Sequence, residues 1–173
     1  MIAQIIGYTI PSLVLFACVW IMQWMQYRKE DKKRLWELKK QSQKEITQVR
    51  LRAYERLALL LERTEPEHLL LDLDVSGMTV LTLQQRLLRT VRQEFDHNLS
   101  QQVYVSDEVW DRIIRARDEM GAFLTTMAQR LKEDATAMDY ATVLLTAYKN
   151  NGVTPHQLAL DALKNEARQL IDN

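Results

Sequence analysis

Two short patterns in this chain have the residue types for metal chemistry: Glu65…His68 and Glu94…His97. A spacing of three puts a carboxylate and an imidazole on one helix face. Two such pairs with two further carboxylates build a di-iron centre inside a helical bundle. Pro66 sits inside the first pair and pushes Glu65 out of the helical region, so that pair does not share a face. No third and fourth carboxylates stand in an apolar frame around the second. Read structurally, these residues are a helix-end Glu, a loop His and a surface His near a helix terminus. Asp72-Leu73-Asp74 has the form of the Asp-x-Asp that holds a metal–nucleotide complex, but neither a phosphate loop nor an α/β pattern accompanies it. The three histidines are dispersed, and no Ser/His/Asp set or nucleophile elbow is present. The sequence therefore predicts no catalytic, cofactor or metal residues and no enzyme activity. A membrane-tethered helical metalloenzyme of di-iron type is the alternative.

The elements around these residues are more telling. From Ile5 to Met25 the chain reads IIGYTIPSLVLFACVWIMQWM, 21 residues without a charged side chain. A hydrocarbon core about 30 Å thick needs about 20 apolar residues in a helix. Trp20, Trp24 and Tyr27 lie at the end of the run, where amphipathic rings favour the membrane–water boundary. A cleaved signal peptide would carry positive charge before the run and small residues after it. Here Met1–Gln4 carry no charged side chain, and the run ends in Gln-Trp-Met-Gln-Tyr. Residues 1–27 thus read as a transmembrane anchor. With Pro11 in its first turn, the span would be about 25 Å long.

Arg28, Lys29, Lys32, Lys33 and Arg34 follow at once. Between Arg28 and Lys44 there are eight Lys or Arg against three Asp or Glu, a local net charge of +5. Basic residues beside a span stay on the cytoplasmic side, so the N-terminus is expected outside and the body in the cytoplasm. The same segment has three readings. It grips anionic inner-leaflet headgroups, each nearby basic residue contributing about 1 kcal/mol; it binds nucleic acid; or it only sets topology. Glu30, Asp31 and Glu37 interrupt it and no base-reading motif follows, which argues against nucleic acid.

The whole chain is neutral, with 23 basic and 23 acidic residues. Its single Cys18 lies in the apolar run, so there is neither a disulfide framework nor a thiolate metal site. Residues 28–65 read as a basic helical stalk: no Gly or Pro occurs between Tyr27 and Arg63, and strong helix formers dominate. Its apolar positions are Leu35, Leu38, Ile46, Val49, Leu57 and Leu60, with Ser42 and Ala53 between them. Steps of 3, 4, 4, 3, 4, 4, 3 repeat every eleven residues, the period of a straight or slightly right-handed seam. Such a seam must be covered, either by a sister chain or by the folded body.

Residues 66–78 read as a loop or extended linker, and residues 79–173 as a small helical bundle. Val80, Leu83, Leu87, Val91, Phe95 and Leu99 recur at helical spacing in a first helix running to about Gln102. Ser106 is the expected N-cap of a second, whose face runs from Val109 to Leu131. A third covers about 137–150, and Thr154-Pro155-His156-Gln157 opens the last as a capping box.

Two stretches, Val49–Arg63 ending at Pro66 and Gln93–Trp110, resemble a family of uncharacterised bacterial proteins with one N-terminal span and a helical cytoplasmic region. The resemblance covers about residues 45–115. It implies the bacterial inner membrane and supplies no catalytic or binding residues. In Gln93–Trp110, Phe95, Leu99, Val103 and Trp110 are expected to pack inward, while Asn98, Ser100, Gln101 and Gln102 either satisfy the turn before Ser106 or face a partner. Arg50, Arg52, Tyr54, Glu55 and Arg56 pose the same choice between packing and docking. The expectation is an all-α, single-pass inner-membrane anchor or scaffold that presents a helical module to a protein partner or to a second copy.

Overall fold

A computed structural model of the chain describes the backbone of residues 2–71 and 73–172, and the side chains of 15–25, 34, 36–71 and 73–172. The described residues are helical apart from short connections. In chain order the helices are α1 (Ile2–Arg63), α2 (Pro66–Leu71), α3 (Val80–Asn98), α4 (Asp107–Gln129), α5 (Ala137–Lys149) and α6 (Pro155–Asp172), with a 3-10 segment, Leu99–Tyr104, between α3 and α4. The chain divides into two units, Met1–Ile46 and Thr47–Asn173, and the division falls inside α1.

In the first unit α1 begins at Ile2, so Pro11 lies in the helix interior and not in its first turn. From Leu15 to Met25 every side chain is exposed. Among the described residues no helix is long and apolar enough to cross a membrane. Those side chains cover only the second half of the uncharged run; Ile5–Val14 fall outside them. The side chains of Tyr27, Arg28, Lys29, Lys32, Lys33 and Leu35 also lie outside the described residues, whereas Arg34 is exposed. Leu38 and Ile46, two members of the predicted seam, are exposed. Lys40 lies over the Trp36 ring at 5.1 Å.

The second unit has two packed cores. One is built on Leu69 of α2, Leu83, Leu87 and Val91 of α3, Met120 and Leu124 of α4, and Tyr140 and Leu144 of α5. These positions follow helical spacing within each element, so each helix turns one apolar stripe inward. The two connections α2–α3 and α4–α5 meet through an antiparallel bridge between Thr79 and Thr136. Each threonine is also an N-cap: Thr79 accepts from Thr82 N, and Thr136 forms a full capping box with Asp139. Two helix–loop–helix units are thereby tied at their loops.

The other core joins Tyr54, Leu57, Leu60 and Leu61 of α1 to Phe95, Val109, Ile113, Ala159 and Leu163. Here the stalk seam is covered by its own body. Leu57 and Leu60 are buried in it, whereas Val49 stays exposed. α3, α4 and α6 supply the apolar partners of these turns of α1.

Two sequence expectations need correction. Residues 66–78 are not simply a linker. Pro66 starts a helix instead of only ending one, since its missing N–H is no loss in a first turn. Leu69 N bonds Glu65 O at 2.9 Å, and Leu69 is buried. The first bundle helix stops at Asn98, four residues short of Gln102. The tighter 3-10 winding that follows rotates side chains off the α-helical stripe. Phe95 and Trp110 do pack together, with ring centroids 5.4 Å apart. Leu99 and Val103 are turned to solvent, Val103 being 77% exposed.

Candidate functional site

The densest polar constellation in the second unit gathers on one carboxylate. Arg50 and Tyr54 are one helical turn apart on α1 and so share a face. Glu166 projects from α6, and Ser106 stands just before α4. Arg50 Nη2 donates to Glu166 Oε1 at 3.0 Å and to the Tyr54 hydroxyl at 2.7 Å. The Tyr54 hydroxyl donates in turn to Glu166 Oε1 at 2.9 Å. Ser106 gives its hydroxyl to Oε2 at 2.5 Å and its backbone N–H to Oε1 at 3.1 Å.

These donors have supports of their own. Arg50 Nε donates to Tyr104 O at 3.0 Å, which ties α1 to the end of the 3-10 segment. Ser106 Oγ accepts from Val109 N and caps α4, as its sequence position predicts. Tyr54 is 4% exposed. Burial and then the hydrogen bond to Glu166 push its hydroxyl up to about 12. For Glu166, burial alone would raise the carboxyl. Hydrogen bonds from Ser106 and Tyr54 and the charge of Arg50 together outweigh it and hold the group below its ordinary value. A groove of about 550 Å³ between α4 and α6 opens on this point, lined by Arg50, Ser106, Val109, Arg112, Asp161 and Glu166 among others. Arg112 donates to Glu108 at 2.9 Å, and its Nε is buried without a hydrogen-bond partner.

A second polar joint holds the other end of the α1–α6 contact. His156 is 2% exposed, with Nε2 3.1 Å from Thr64 Oγ1. Thr64 Oγ1 also donates to Leu60 O at 2.8 Å. Burial drops His156 to about 4, so it is neutral at pH 7. Nearby, Tyr148 donates to Glu65 at 3.2 Å, and burial raises the Glu65 carboxyl.

The residues singled out for metal chemistry do not converge. Glu65 is taken by Tyr148, His68 is exposed on α2, Glu94 lies 3.9 Å from Arg63, and His97 is exposed. Among the described residues no three His, Cys, Asp or Glu group so as to hold a metal. Asp72 lies outside the described residues. Asp74 accepts from Ser76 N at 2.9 Å in a turn closed by Gly77, whose φ of +73° suits glycine. With Asp72 and Ser76 this stretch matches the start of a calcium loop, Asp-x-Asp-x-Ser-Gly. The twelfth position, where such a loop has a bidentate Glu, is the buried core residue Leu83. Of the basic stretch on α1, Arg50 and Tyr54 serve internal packing, while Arg52, Glu55 and Arg56 are exposed. The turn before Ser106 is held by Arg50 and Glu166; Asn98 instead donates to Glu94 O at 2.9 Å.

A family model, described as a family of unknown function (DUF7935), matches residues 1–170. The chain belongs to this family. The match takes in both units, well beyond the 45–115 stretch that carried the sequence resemblance. No curated protein matches the chain, and no solved structure does. The family brings no assigned residues, so the clasp around Glu166 and the joint at His156 stand on their geometry alone.

Proposed function

We propose that the chain is a single-pass anchor of the bacterial inner membrane that presents its helical body as an interaction module in the cytoplasm. In this reading it performs no catalysis of its own. One observation carries the proposal: a 21-residue uncharged run at Ile5–Met25 followed directly by Arg28, Lys29, Lys32, Lys33 and Arg34. The helical, fully exposed stretch Leu15–Met25 supports it, because eight large hydrophobic side chains there, from Leu15 to Met25, are each more than half exposed. A surface of that kind is stable against acyl chains and unfavourable against water. Trp20 and Trp24 stand at the headgroup level in this arrangement, and the basic cluster that follows attracts anionic headgroups of the inner leaflet.

The exposed Leu38 and Ile46 favour a protein partner on the stalk, such as a second copy aligned by the shared membrane. Orientation is the direct test of the reading. A reporter active only in the cytoplasm, fused after Asn173, should give signal. Digestion of the body by protease added on the periplasmic side would overturn it.

A further inference from the structure

Each of the three residues that donate to the Glu166 carboxylate has a second support in the fold. Arg50 is braced by Tyr104 O, Ser106 by its cap bond to Val109 N, and Tyr54 by the core around it. All the donors come from α1 and the start of α4; α6 contributes only the acceptor. We propose that Arg50, Tyr54 and Ser106 form a receptor for one carboxylate, filled in cis by Glu166, which a small carboxylic acid entering the α4–α6 groove takes over.

The donor set fits that chemistry. A carboxylate oxygen accepts from Arg50 Nη2 and Tyr54 Oη at 3.0 and 2.9 Å, while the Ser106 hydroxyl serves the other oxygen. Charge-assisted bonds of this kind are among the stronger polar contacts in proteins. The groove reaching Arg50 and Ser106 holds about 550 Å³, inside the range of roughly 300–1,000 Å³ usual for small-molecule sites. Its remaining charged lining, Arg112 with Glu108 and Asp161, carries a net charge of −1, which disfavours a polyanion and leaves Arg50 to match a single carboxylate. Because Glu166 is attached to the fold, its local concentration is high. A free acid displaces it only with added contacts along the groove. Glu166 thus acts as a resident competitor, and the site is closed at rest. The proposal does not depend on the membrane reading.

Acetate is the probe, and the full chain in detergent is the sample. Thermal unfolding is followed by circular dichroism for wild type, E166A and R50A/E166A, in sodium acetate against sodium chloride of equal ionic strength. Acetate at ~100 mM should raise the Tm of E166A by about 5 °C and leave wild type and R50A/E166A nearly unmoved. If E166A is unfolded on its own, the same acetate should restore its helical signal. An E166A protein that acetate stabilises no more than the double variant, or an unfolded E166A that acetate leaves unfolded, overturns the proposal.

Discussion

Arg50 and Glu166 stand 116 positions apart in sequence and meet at 3.0 Å. The pair closes one end of the contact between α1 and α6, and Thr64 with His156 closes the other. Removing either charge leaves the remaining donors or acceptor poorly matched. Glu166→Gln should lower stability by roughly 1–3 kcal/mol, solvent access at Arg50 keeping the loss toward the lower end. Urea unfolding of E166Q, R50A and the double variant should show a coupling above about 0.5 kcal/mol. Strictly additive losses would mean that the two side chains act independently.

His156 gives the fold a pH dependence of known sign. Its folded value is about 4 against an ordinary 6.5. The unfolded chain therefore takes up a proton that the folded chain refuses as pH drops below about 6.5. Stability is full above that pH and declines as pH falls toward 4, by about 3 kcal/mol across the window. Urea midpoints measured from pH 7.5 to 4.5 should follow this slope. His156→Gln should flatten it, and an unchanged slope in that variant would assign the acid sensitivity elsewhere.

The stalk seam divides into a structural part and an exposed part, and two substitutions separate them. Leu57 is 0% exposed, so Leu57→Ala should cost about 2–5 kcal/mol. Ile46 is 59% exposed, so Ile46→Asp should change stability by less than about 0.5 kcal/mol. The same Ile46→Asp change should weaken stalk-to-stalk or stalk-to-partner crosslinks in native membranes. Crosslinks unaffected by it would remove the seam as the contact surface.

Tyr140 closes the other core. Fully buried, it donates its hydroxyl to Leu124 O at 2.7 Å, linking α5 to α4. Tyr140→Phe keeps the ring and deletes the donor, and should cost about 1 kcal/mol. A neutral result by chemical unfolding would show that Leu124 O finds another partner.

Much of the helical framework is visible in the sequence, because its signals are local. Scarce Gly and Pro, the stripe Val80–Phe95 and the caps Ser106 and Thr154 are each read within a few residues. Thr154 does accept from Gln157 N. What escaped is short or distant. Helix α2 has six residues, too few for a periodic pattern, although Pro66 at a first helical position was a usable signal. The bridge between Thr79 and Thr136, the burial of His156, and the meeting of Arg50 and Tyr54 with Glu166 depend on packing between remote segments. No spacing rule encodes them. Arg50 and Tyr54 did stand out in the basic stretch of α1, but their partner on α6 did not.

We propose that Ile5–Met25 holds the chain in a membrane. Alkaline carbonate extraction of bacterial membranes, comparing the full chain with a version lacking residues 1–27, tests it most directly. The full chain should remain in the membrane pellet after extraction, and the shortened chain should leave it. A full chain released by carbonate, or found in the soluble fraction at the outset, would contradict the account.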